Sequence, residues 1–336
     1  GSMFDFLYVE AEIADHPRTR ALIERFPNAR VVPCERYGEV FNRTAQNFRL
    51  QKRRPALILA HKAGQRVLAA PIGYGIGSER NFYFSHMLNC LYDCRYCFLQ
   101  GMYRSAHMVV FVNYEDFQAD ISARIAESPD APYFFSGYDC DSLAMEGITH
   151  FTADFLPYFA DHPRAFFELR TKSVRIQTLR DTAPLANCVV AFSMTPPELA
   201  ARFEVGAPPV ARRLEALTSL QEQGWPIGLR FDPLIYDHNY QPHYRNLFAQ
   251  VFARVRPDRL HSVSLGQLRL PRDIYKRMHR LYPDEPLLAY GLEDRDGMVS
   301  YHGDLACQLH DFCSAELLHY IAPEIFFPCP TTTAEV

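Results

Sequence analysis

The chain has 336 residues, 48% hydrophobic and 22% charged, the balance of a globular protein with one large or two ordinary domains. Its formal net charge of −4 gives no overall field favouring nucleic acid, so a nucleic-acid surface would have to be a local basic patch. No apolar run is long enough to cross a membrane, and nine cysteines in a chain this long do not make a disulfide scaffold.

Gly1-Ser2 ahead of Met3 reads as an expression scar. No signal segment follows, so the expected compartment is the cytoplasm. Residues 6–10 read as a strand, 18–26 as a helix, and 30–33 and 56–61 as strands. These make a small N-terminal α/β unit over 1–75, closed by the glycine-rich "PIGYGIGSER". Six short runs rich in Phe, Val and Ile follow: 81–85, 132–136, 165–169, 188–194, 226–231 and 261–266. Helical stretches separate them. In the clearest, Val210, Leu214, Leu217 and Leu220 share a face and Gly224 is a C-terminal stop. Strands alternating with helices predict parallel βαβ units of right-handed crossover. Eight units would close a TIM barrel; six predict a partial (β/α)6 barrel with an open side, assigned to 76–290, with 291–336 as an extension packing on it.

Cys90, Cys94 and Cys97 follow the first of these strands with the spacing C-x3-C-x2-C. In a reducing compartment clustered cysteines are metal ligands or catalytic thiols. A [4Fe-4S] cube held by three thiolates leaves one iron open for a substrate. The competing reading is a non-catalytic zinc site with His86 as fourth ligand. Zinc ligands come in two well-separated pairs, and here all three cysteines share one loop.

The motif, with Tyr96 just before the last cysteine, resembles the radical S-adenosylmethionine (AdoMet) superfamily. "CRYCFLQ" and the later segments "FFELRTKS", "VVAFSM", "RFEVGAPPVARRLEAL", "GWPIGLRFDPLIYD" and "YRNLF" are similar, in order, to the spore photoproduct lyase family. The resemblance implies the radical SAM partial barrel, a [4Fe-4S] cluster on Cys90, Cys94 and Cys97, and AdoMet as cofactor. It implies a 5′-deoxyadenosyl radical that abstracts hydrogen from a thymine-dimer-type DNA lesion, with carbon–carbon scission, hence a lyase in DNA repair. Damaged DNA or a nucleoside-type substrate and a flavodoxin- or ferredoxin-type reductant are the implied partners. A free nucleoside, nucleotide or other small molecule is the alternative substrate.

Catalytic groups on parallel-strand barrels sit at the carboxyl ends of strands. By resemblance, Lys172 and Ser193 hold the carboxylate and amine end of AdoMet, Tyr96 lies near the adenine, and Gly137 lets backbone approach the methionine amine. Arg230, between Leu229 and Phe231, needs an anion; Asp232 and the cofactor are equal candidates.

The family returns a hydrogen atom from a cysteine after the second strand, assisted by tyrosines. An ungapped comparison puts Tyr138 at the donor position and Cys140 where a serine touches the cofactor; an assisting tyrosine becomes Phe98. Tyr138 and Cys140, two apart, would share a face of extended chain, so either is a candidate donor. The alternative for Cys140 is simple packing.

The family's basic C-terminal stretch reads here "GMVSYHGDLACQLHDFC", without arginine or lysine. Phosphate contact depends on Lys and Arg. The remaining candidates for it are Lys52-Arg53-Arg54 and the group Arg272, Lys276, Arg277 and Arg280, unless these are solvated faces. Cys307, Cys313 and Cys329 match no compact ligand motif and read as structural.

Overall fold

The computed structural model describes residues 3–71 and 75–328. Its largest sheet contains six parallel strands in sequence order: β1 (Asn81–Tyr83), β2 (Tyr133–Phe135), β3 (Phe166–Thr171), β4 (Cys188–Ser193), β5 (Ile227–Leu234) and β6 (Leu260–Gln267). All six were legible in the sequence, and the sheet is the expected partial barrel. Leu68–Ala69 pairs antiparallel with β1 at one edge. Phe326–Pro328 pairs parallel with β6 at the other, so the C-terminal extension joins the sheet.

Both faces of this sheet are covered, which is why its strands are apolar runs. Cys188, Val190 and Phe192 of β4 pack into the large core formed with the outer helices, whereas Val189 turns inward to Tyr133 and Phe135. The helix Val210–Gln223 buries Val210, Leu214, Leu217 and Leu220. It stops at Gly224, whose φ of +112 suits glycine and whose N–H closes the last turn on Leu220.

The N-terminal residues build a second sheet with parallel strands Arg30–Cys34, Phe6–Glu10, Leu57–Ala60 and Met108–Phe111, in that spatial order. Met87–Leu88 pairs antiparallel at its edge. The sequence reading missed these last two strands. One is only two residues long, and the other is a four-residue run buried on both faces, with no alternation to betray it. Between β1 and β2 the chain therefore leaves the barrel, completes the N-terminal sheet and returns. The cysteine loop lies on this detour, between the two sheets.

Residues 292–301 form a hairpin paired with Arg269–Pro271, and Gly303–Leu317 is a helix. Cys313 is buried and Cys307 exposed on that helix; Cys329 lies outside the described residues. No described helix is long and apolar enough to cross a membrane.

Candidate active site

A cavity of about 580 Å³ opens at the carboxyl ends of the barrel strands. Cys90, Cys94 and Cys97 line one wall, facing Gly137 to Asp141 after β2, Arg170 to Lys172 at the end of β3, Ser193 of β4, Asp232 of β5 and Gly266 of β6. Nine of the ten predicted site residues converge here. Arg230 does not line the cavity.

The cysteine loop is tied down at several points. Asn89, held at φ +69, donates its amide to the Ser105 and His107 carbonyls. Lys52 donates to the Cys90 carbonyl at 2.9 Å. Asp93–Cys94 pairs antiparallel with Glu204–Val205, and the Gln100 amide donates to the Cys94 carbonyl. Burial pushes the Cys90 thiol up to about 12 and raises Cys94 and Cys97 as well; Lys172 opposes this at all three and Lys52 at Cys90 and Cys97. Bare thiols here carry their protons, and metal binding must displace them.

The donor set fits an iron–sulfur cluster. Its chemistry is that of three thiols from one loop facing one cavity. His86, the fourth ligand of the zinc alternative, is turned away from the cavity. Its ring stacks on Phe151 with centroids 3.7 Å apart, and burial lowers it to about 3, keeping it neutral.

Tyr96 is fixed from behind. Its hydroxyl donates to Glu204, which also accepts from Thr195 at 3.0 Å and Arg213 at 2.7 Å. Glu204 and Arg213 are fully buried. Burial alone would raise the Glu204 carboxyl; Arg213, then Lys172, outweigh it and hold it low. The Lys172 ammonium lies 5.6 Å from the Tyr96 ring centroid.

Asp141 joins the β2 and β3 ends, accepting from the Leu143 and Ala144 N–H groups, the Thr171 hydroxyl and the Lys172 N–H. Gly137 sits where a Cβ would come within 3.1 Å of the Arg170 carbonyl. Glycine lets the two strand ends approach this closely without a few tenths of an ångström of adjustment.

Arg230 has a different partner from either expected one. It donates to Glu168 at 2.6 Å and to Ser262 at 2.9 Å, inside the barrel. Asp232, two residues on and on the same inward face, instead takes Arg170 at 3.2 Å. Arg170 also approaches the Ser193 hydroxyl at 3.5 Å. Strand alternation could have revealed this, since Glu168, Arg170 and Lys172 share one face of β3 and its continuation. Glu204 and Arg213 carried no such signal, because they meet the loop only through the fold.

Tyr138 and Cys140 do not share a face. The chain bends over 138–140 instead of extending. Tyr138 packs on Tyr83, centroids 4.8 Å apart, and on Phe135. Cys140, 7% exposed, packs with Met87, Met108 and Met145 on the N-terminal side. Both still line the cavity, as do Phe98 and Asp139. Burial raises the Asp139 carboxyl, against a 2.7 Å hydrogen bond from Ser85 and the charge of Lys62.

An open, curled parallel sheet with a three-cysteine loop beyond its first strand defines the radical SAM type of partial barrel. The sequence profile of spore photoproduct lyase matches residues 81–296, and the chain belongs to the spore photoproduct lyase family. It is 23% identical over 202 residues to the spore photoproduct lyase of Bacillus subtilis strain 168, and 22% identical over 202 residues to that of Geobacillus sp. strain Y412MC61. Each match spans 59% of this chain and 59% of the relative's length. A solved spore photoproduct lyase variant with bound AdoMet and dinucleoside spore photoproduct superposes with TM-score 0.84 at 18% identity, covering 96% of this chain and 97% of that one. Another, complexed with dinucleoside spore photoproduct, gives 0.82 at 18% identity with the same coverage. At that identity the likeness is one of fold.

Proposed function

We propose that this protein is a radical SAM lyase that reverses a thymine-dimer-type lesion in DNA. The observation that carries the reading is that three thiols from one loop share a cavity with the ends of β2 to β6, in a chain of this family. The two solved relatives, which bind AdoMet and dinucleoside spore photoproduct or the latter alone, support it.

Cys90, Cys94 and Cys97 would hold a [4Fe-4S] cluster, three thiolates for four irons. When bound, the cluster would supply the one electron that reductive cleavage of AdoMet needs. Lys172 offers its ammonium to the AdoMet carboxylate. Ser193 offers its hydroxyl, Gly137 its close-lying backbone, and Tyr96 a ring immobilised through Glu204. Arg230 acts from below, in its ion pair with Glu168. Arg170 and Asp232 give the cavity a second charged pair, open to a polar ligand. Cys140 and Tyr138 are the candidates for returning a hydrogen atom to the product. Tyr138, partly exposed on the cavity wall, is the favoured one, since Cys140 is buried in the N-terminal core. A flavodoxin- or ferredoxin-type protein of the cytoplasm would serve as reductant.

Residues 297–313 lack Lys and Arg, which favours a second reading in which the substrate is a free nucleoside or nucleotide. Anaerobic reconstitution tests both. The expected protein is brown, holds about four irons and, when reduced, releases 5′-deoxyadenosine from AdoMet while repairing a dithymine lesion. Colourless protein that binds zinc sinks the proposal; 5′-deoxyadenosine without lesion repair selects the second reading.

A further inference from the structure

Two basic stretches more than 200 residues apart in sequence meet beside the cavity. The helix Phe48–Arg53 abuts the end of the helix Arg272–Leu281, where Arg49 donates to the Leu281 carbonyl at 3.3 Å. The second helix packs on the short helix Leu99–Met102 that follows the cysteine loop. Contact is so close that a Cβ on Gly101 would lie 2.5 Å from the Ile274 carbonyl. Arg277 donates to the Met102 carbonyl at 3.3 Å. Met102 is itself on the cavity wall and 38% exposed, and Lys52, Arg269 and Pro271 also line that wall. Lys52 and Arg269 thus stand on the cavity wall and Arg277 reaches it through Met102, while Arg53, Lys276 and Arg280 are exposed on the same two helices.

Arg272 is tied to Asp294 and Arg54 to Asp5. Lys52, Arg53, Arg269, Lys276, Arg277 and Arg280 form no ion pair with a described carboxylate. Asp273 is the acidic residue of the second helix, so that helix keeps a clear positive excess. Such an excess on a chain whose net charge is −4 is a strongly uneven distribution of charge.

We propose that these six side chains form a single phosphate-binding rim that holds the sugar–phosphate backbone of DNA at the cavity mouth. The inference rests on the proposed function for what enters the cavity. It assigns the polynucleotide contact to the barrel-to-N-terminal seam, in place of the 297–313 segment that has no cation to offer. A base turned out of the stack would enter the cavity while its neighbours stay on the rim. With six phosphates engaged, affinity should fall on the order of a thousandfold between about 50 and 200 mM salt.

The test is fluorescence anisotropy with a labelled DNA duplex and the full, reconstituted protein. The double variant Lys276→Glu/Arg280→Glu should bind at least about tenfold more weakly, with the log-affinity versus log-salt slope shallower by about 2. Lys276→Gln/Arg280→Gln serves if charge reversal fails to fold, with the same direction expected. The control Arg212→Glu/Arg254→Glu, on exposed positions elsewhere, should match the unsubstituted protein. Unchanged affinity and slope in the rim variants overturn the proposal, as does salt-insensitive binding by the unsubstituted protein. Turnover of duplex lesion relative to a dinucleoside lesion should fall at least about tenfold in the rim variants, and equal loss on both substrates also overturns it. The binding isotherm needs no turnover, so absent repair chemistry counts against the proposed function and leaves the rim to be judged on DNA binding.

Discussion

Arg170 and Asp232 meet at 3.2 Å across the barrel mouth, one layer above Arg230 and Glu168 at 2.6 Å, so β3 and β5 carry two ion pairs of opposite polarity. The lower pair is fully buried, and the upper is about a quarter exposed and on the cavity wall. Burial decides what each does. Glu168→Ala leaves the Arg230 charge stranded and should cost about 3–5 kcal/mol in denaturant unfolding. Asp232→Ala breaks a solvent-screened pair and should cost at most about 1 kcal/mol, while weakening AdoMet binding in calorimetry. Comparable stability losses would refute this division.

Replacing any one of Cys90, Cys94 and Cys97 by Ala should drop iron content from about four per chain to near zero without unfolding the protein. Glu204→Gln is expected to act on the same readout by another route. It weakens the Arg213 pair and the hold on Tyr96, loosening the loop strand that carries Cys94. Iron should be lost faster to a chelator, with the three thiols still countable by titration. Iron retention equal to that of the unsubstituted protein would contradict the anchoring role.

If Tyr138 is the hydrogen donor, Tyr138→Phe should cut lesion repair at least tenfold, about 1.4 kcal/mol of barrier, while 5′-deoxyadenosine continues to form. Cys140→Ala should stay within about twofold. The reverse pattern in a product-to-deoxyadenosine ratio would give the role to Cys140.

His86 makes acid stability testable. Its folded value, about 3, lies below the ordinary 6.5 because burial excludes the charged ring. The unfolded chain then binds the extra proton. Stability from this group is complete above 6.5 and drains as pH falls toward 3, at up to about 1.4 kcal/mol per pH unit. Burial lowers His107 to about 4, adding a second proton over a narrower window. His86→Phe keeps the stack on Phe151 and should flatten the slope of unfolding free energy against pH by one proton's share. An unaltered slope would show that His86 is not the titrating group.

The sequence by itself determined the six barrel strands, the three-cysteine loop and most of the cavity wall. These depend on local signals: apolar runs between helices, a three-cysteine spacing within eight residues, and polar groups just past strand ends. The strand Met108–Phe111 was hidden because burial on both faces removes alternation. Only the tertiary structure decided the charge pairing. The closeness of Arg230 and Asp232 in sequence suggested a bond, yet a strand turns residues two apart to one face at different depths, so each found its partner on β3. The Glu204–Arg213 support, the divergence of Tyr138 from Cys140 at a bend, and the convergence of two distant basic stretches on one rim have the same cause. They are contacts between segments far apart in the chain or turned by it, and no local spacing records how far the folded backbone will bring them.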